Sequence, residues 1–120
     1  MHILLTRPLE DCRNLLIKFK DLGPVVSHLP VIKIRKMEYK EPNFNNYSAI
    51  IFTSSNAIKN LNIDSINKTI KCFCVGSVTE KFARRFGFQH VIAADGNVRA
   101  LKELIFQNHD KKNRIQRTKF

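Results

Sequence analysis

Residues 47–61 read YSAIIFTSSNAIKNL. The run Ala49-Ile50-Ile51-Phe52 is short, rich in β-branched and aromatic side chains, and has the composition of a buried strand. It stops at Thr53-Ser54-Ser55-Asn56, a cluster of small polar residues. Apolar residues return as Ala57, Ile58 and Leu61, at helical spacing. A strand that passes directly into a helix is the building unit of a parallel α/β sheet. Here it also predicts a corner where hydroxyls and backbone amides gather.

The same grammar recurs on both sides. Residues 1–6, MHILLT, read as a buried strand. Pro8 then fits the first helical position, with Glu10 and Asp11 where the helix dipole favours acids. Leu9, Cys12, Leu15, Leu16, Phe19 and Leu22 form one apolar stripe, and Gly23-Pro24 stops the helix. Residues 25–37 are rich in Val and Ile but interrupted by Pro30, which reads as a strand followed by an extended segment. Residues 41–46 read as a polar loop and 62–69 as polar and irregular.

Residues 71–75, KCFCV, form the next predicted strand. Gly76 turns it into a helix in which Val78, Phe82 and Phe86 recur at one-turn spacing, and Gly87 ends that helix. Residues 91–93 are a short strand. Asp95-Gly96-Asn97 caps a last helix with Val98, Leu101, Leu104 and Ile105 facing inward. The fold class is therefore α/β, a mainly parallel sheet with helices on its faces. After Phe106 the apolar pattern fails. Residues 108–120 read as a basic, disordered tail, with Lys111, Lys112, Arg114, Arg117 and Lys119 against Asp110.

Apolar residues make up 43% of the 120-residue chain, enough to build a core. The net charge is +11, which favours polyanionic partners: nucleic acid, an anionic membrane surface, or a small molecule bearing several carboxylates or phosphates. Cys12, Cys72 and Cys74 are odd in number, and the last two are badly placed for a mutual disulfide on one strand. They are expected to be reduced thiols of a cytoplasmic protein. No apolar run is long enough for a membrane span, and no secretory signal is visible.

Three strand-to-helix corners carry candidate chemistry: Thr6-Arg7-Pro8, Thr53-Ser54-Ser55-Asn56 and Gly76-Ser77-Val78-Thr79. Ligands of open parallel sheets bind at the carboxyl ends of strands. The first amides of each helix lack helical acceptors and carry the positive end of the dipole. Small residues let an anion approach them, and hydroxyls add donors. The competing reading is ordinary helix capping, and Ser77-Val78-Thr79-Glu80 fits a capping box. Neither of the two hydroxyl-rich corners, at Thr53 and at Gly76, has the glycine spacing of a nucleotide-binding loop. His2, His28, His90 and His109 lack ligand spacing, and no side chain stands out as a catalytic acid, base or nucleophile. A site built from backbone donors fits the sequence best.

In combination, ILLTRP (3–8), LGPVVSHLPVIKI (22–34), YSAIIFTSSNAIKNL (47–61), CFCVGSVTEKFARRFGF (72–88) and AADGNVRALKELI (93–105) resemble the uroporphyrinogen-III synthase (HemD-like) family. The order and spacing of these segments carry the resemblance more than any one of them. It implies two α/β domains joined by a two-stranded connector, with the site in the cleft between them. On that pattern, residues 1–34 are the opening β-α-β of the first domain, 35–46 the connector, and 47–107 most of the second domain. Family members are about twice as long, so the expected architecture is incomplete. The segment that returns to the first domain is absent, as is a tyrosine the family places near the cleft.

The resemblance also implies a substrate, hydroxymethylbilane, a linear tetrapyrrole with eight carboxylates, and no metal or organic cofactor. Arg7, Thr53, Ser54, Ser55, Gly76, Ser77 and Thr79 are the substrate-binding positions it implies, with Ser54 and Thr79 as the principal hydroxyl donors. None of them is a convincing catalytic acid. Three functions follow as expectations: a synthase whose other half comes from a second polypeptide, an inactive remnant of such a gene, or a basic nucleic-acid-binding module. The last is disfavoured because aromatic and basic residues are not interleaved.

Overall fold

A computed structural model describes residues 1–109; residues 110–120, which carry most of the basic tail, lie outside the described residues. The chain divides into two compact units, Met1–Met37 and Glu38–Phe120.

The first unit is a β-α-β. Strand β1 (His2–Leu5) pairs in parallel with β2 (Val25–His28), and helix α1 (Leu9–Leu22) connects them. Pro8 caps α1 rather than opening it, with φ −50° and ψ 144°. Gly23 closes the helix at φ 91°, a left-handed conformation, and its amide bonds to the Phe19 carbonyl oxygen. The expected stripe on α1 is largely uncovered: Cys12 is fully buried, whereas Leu9, Leu15 and Leu22 are exposed. A two-stranded sheet has too little surface to cover six apolar side chains. His2 Nε2 and Ser27 Oγ lie 2.8 Å apart, and His28 Nε2 lies 2.8 Å from the Arg7 carbonyl oxygen.

The second unit is built on a parallel sheet in the order β3-β4-β5, comprising β3 (Ala49–Phe52), β4 (Lys71–Val75) and β5 (His90–Ala94). Helices α2 (Ser55–Asn60) and α3 (Ser77–Arg85) follow β3 and β4, and α4 (Val98–Gln107) follows β5. Strand alternation divides the core. Phe52, Cys72, Cys74 and Val91 pack with Ile58 of α2 and Ala83 of α3 on one face. Phe73 and Ala94 pack with Leu101 of α4 on the other. Helices therefore cover both faces of the sheet. Right-handed crossovers put α2 and α3 on the same side as the chain steps from β3 to β5.

Several inward and outward positions differ from the sequence reading. On α3 the buried residues are Thr79 and Ala83, while Val78 and Phe86 are exposed and Phe82 is half-buried. On α4, Leu101 is buried but Val98 is 69% exposed. The polar stretch 62–69 contains a 3-10 turn, Ile63–Ser65, that turns Ile63 and Ile66 into the core. Lys68 locks that turn by donating to the carbonyl oxygens of Ile63 and Ile66. The Tyr39 hydroxyl accepts the Asn62 amide at 2.8 Å, tying the start of this unit to the same turn.

All three cysteines are buried, free thiols. Cys72 and Cys74 project from the same face of β4 with sulfurs 3.8 Å apart. That contact, and then burial, push the Cys72 thiol far above its ordinary range. Among the described residues, no helix is long and apolar enough to cross a membrane.

Candidate anion-binding corners

Because β3, β4 and β5 run parallel, their carboxyl ends lie along one edge of the second unit. Three corners follow from that edge, and they differ in how their helix-start amides are satisfied.

The corner after β3 caps itself. Ser54 is extended, at φ −150° and ψ 142°, and its Oγ accepts the Asn56 amide at 3.2 Å. The Ala57 amide bonds to the Ser54 carbonyl oxygen at 3.2 Å. The Ser54 hydroxyl thus acts first as an acceptor, as the capping reading expects, and keeps its own hydrogen for another group. Thr53 is exposed beside it, and Ser55 is buried in the first turn of α2.

The corner after β5 is also self-capped. Asn97 Oδ1 accepts the Ala100 amide at 2.9 Å, and Asp95 stands exposed next to it.

The corner after β4 is different. The predicted capping box does not form, because the cap is Gly76, one residue earlier than the sequence reading placed it. Ser77 is therefore inside the helix, and Glu80 pairs with Arg84 at 3.0 Å instead of reaching back. Gly76 adopts φ 80° and ψ 154°, a region open essentially to glycine alone. Its amide bonds to the Ala94 carbonyl oxygen at 3.0 Å, and its carbonyl accepts the Glu80 amide. The amides of Ser77, Val78 and Thr79 have no acceptor among the described residues. They stand at the positive end of the nine-residue helix α3.

The side chains complete this corner. Ser77 and Val78 are exposed, so the start of α3 faces solvent. Thr79 is 5% exposed, and its hydroxyl has no hydrogen-bond partner among the described residues. Its oxygen is nonetheless not sealed from solvent, since no buried side-chain oxygen or nitrogen is left unpartnered. Ser55 is in the same state at 8% exposure. A β-carbon placed on Gly76 would meet nothing within 4 Å, so the space beside the cap itself is clear. This arrangement can bind a carboxylate or phosphate through backbone N–H groups, with a hydroxyl beside them.

Arg7 belongs to the first unit, at the end of β1. Its guanidinium lies 3.7 Å from Asp11, with the side chain 67% exposed. Its carbonyl oxygen receives the His28 contact already described. The Arg7 side chain is tethered within its own β-α corner but open to solvent.

The structure places the sequence candidates at strand-to-helix corners, and one further group joins them. The Val78 amide is a member of the row, and a reading centred on hydroxyls overlooks it because the side chain is apolar. The three corners end parallel neighbouring strands, so Thr53, Ser54 and Ser55 share an edge with Gly76, Ser77 and Thr79.

No curated protein matches the sequence. A family model described as uroporphyrinogen-III synthase HemD matches residues 14–116. That span starts within α1 and takes in the rest of the first unit, the sheet of the second and the open corner after β4, and the chain belongs to the uroporphyrinogen-III synthase HemD family.

Proposed function

We propose that this chain acts in tetrapyrrole biosynthesis as a uroporphyrinogen-III synthase-like protein. Its substrate is hydroxymethylbilane, which loses water and closes to uroporphyrinogen III with inversion of the last pyrrole ring. The observation that carries this reading is the row of helix-start amides at Ser77, Val78 and Thr79 that have no acceptor among the described residues. A linear octacarboxylate is flexible, and many of its folded shapes do not bring the ends together. Holding carboxylates at fixed points selects the shape that closes, which lowers the entropic barrier to ring formation.

The residues divide the work. Gly76 holds the backbone turn that aims the amides outward. Ser77 and Thr79 supply hydroxyls beside them. Ser54 donates its remaining hydroxyl hydrogen, with Thr53 and Ser55 flanking it. The hydroxymethyl oxygen takes up a proton from solvent and leaves as water, giving a cationic azafulvene, and fixed dipoles hold the surrounding carboxylates as that charge moves. The chain's +11 charge supports attraction of a polyanion in the first place.

We assign residues 1–34 to the opening of the family's first domain, 35–46 to its connector and 47–107 to most of its second. The exposed apolar side chains of the first unit support this: Cys12 is its one buried residue.

The test is product analysis. Pure protein is incubated without oxygen with enzymatically made hydroxymethylbilane, and the I and III isomers are resolved. Isomer III above the spontaneous background is the expected result. Isomer I alone at every protein concentration, with no binding of the bilane, overturns the reading and marks the chain as an inactive relative.

A further inference from the structure

The outer surface of helix α3 carries a group of side chains that the reading above does not use. Lys81 and Arg85 are four residues apart, so they project from one face of the helix. Both are exposed, and neither has a hydrogen bond or ion pair among the described residues. Phe82 and Phe86 form the next column round the helix. The Phe86 amide bonds to the Phe82 carbonyl oxygen at 3.0 Å, so helical geometry reaches this far. The two rings stack, with centroids 6.4 Å apart and planes 23° from parallel. Lys59 of α2 stands over the Phe82 ring, its Nζ 4.7 Å from the centroid. Phe82 is half-buried, whereas Phe86 is 41% exposed and is the ring of the pair open to a ligand.

The face is cationic. Glu80, the acid of α3, is held by Arg84 at 3.0 Å, in the column on the side away from the rings. Two unpaired cations one helical turn apart therefore stand beside an accessible aromatic ring. Single-stranded nucleic acid is taken by this combination, its phosphates by the cations and its bases by the ring. Other polyanions match it less well. A duplex keeps its bases stacked on one another and shows only their edges. An anionic membrane takes a helix by a broad apolar face. The apolar column of α3 leaves only Val78 and Phe86 exposed, while Thr79 and Ala83 turn into the core.

We propose that this face of α3 binds single-stranded nucleic acid, with neighbouring phosphates at Lys81 and Arg85 and a base stacked on Phe86. The chain's +11 charge adds long-range attraction. The site lies along the helix rather than at its amide start, and binding there does not require tetrapyrrole chemistry.

A short fluorescein-labelled oligothymidylate is the probe, followed by anisotropy with the full-length protein over a series of salt concentrations. Saturable binding is expected, with inorganic polyphosphate at equal charge a weaker competitor than the unlabelled oligonucleotide. Phe86→Leu weakens binding about tenfold at unchanged salt dependence, and Phe86→Tyr retains it. Lys81→Gln and Arg85→Gln each lower the slope of log affinity against log salt by about 0.7. Ultraviolet crosslinking of the unaltered protein, read by peptide mass spectrometry, places a thymine adduct at Phe86 whether or not any variant folds. Any of four results overturns the proposal. They are absence of binding at low salt, affinity unchanged in a folded Phe86→Leu, equal competition by polyphosphate or phosphatidylserine vesicles, and crosslinks confined to residues outside 81–86.

Discussion

The Gly76 amide donates to the carbonyl oxygen of Ala94 at 3.0 Å, tying the start of α3 to the end of β5. This bond occupies the one amide of the corner that points into the sheet. The next three amides are left without an acceptor among the described residues. The glycine's positive φ of 80° makes the geometry possible.

Gly76→Ala is expected to lower the stability of the second unit by about 1–3 kcal/mol, because an alanine side chain resists that backbone conformation. The cause is conformational rather than steric, since the new β-carbon would meet nothing within 4 Å. A urea titration shows it as a lower midpoint at unchanged slope.

Ser54 and Ser77 look alike in the sequence but should behave differently. Ser54→Ala removes a formed cap and costs about 0.5–2 kcal/mol. Ser77→Ala removes an exposed side chain that caps nothing, with an expected change within about 0.5 kcal/mol. Parallel denaturation curves of the two variants make the comparison.

Thr79→Val separates function from stability. The hydroxyl has no partner within the described residues, so replacing it with a methyl group should shift stability by less than about 1 kcal/mol. If the hydroxyl contacts a substrate carboxylate, isomer III formation falls about tenfold to a hundredfold. Thr79→Ser should restore much of it.

The thiols report on the two units separately. Cys72 and Cys74 lie in a core covered on both sheet faces, whereas Cys12 is the lone buried residue of Met1–Met37. Local opening of the first unit should be cheaper. A timed alkylation followed by peptide mass spectrometry is expected to label Cys12 well before the other two.

Much of this architecture was legible because two periodicities alternate along the chain and glycines punctuate them. Ala49 to Phe52 could only be a short strand, and Gly23 and Gly87 end helices where their positive φ is needed. Helical phase was less legible. One residue of uncertainty in where α3 starts made Ser77 look like a cap and Val78 look like part of an inward stripe. Gly76 took the cap instead, and Thr79 and Ala83 turned inward. Ile63 and Ile66 were hidden by the polar residues around them, because a 3-10 turn buries side chains at a spacing that neither strand nor helix templates detect. At the candidate site, hydroxyl-rich corners were visible. Which amides remain free depends on caps that only the folded backbone reveals.

The most direct test follows the amide resonances of Ser77, Val78 and Thr79 in the full-length protein during an oxygen-free titration with uroporphyrinogen III, the octacarboxylate product. Saturable downfield shifts of these three amides are expected, and Gly76→Ala should abolish them while the remaining spectrum stays folded. Shifts confined to lysine and arginine side chains, with the three amides unmoved at saturation, would contradict a site built on strand-end backbone donors.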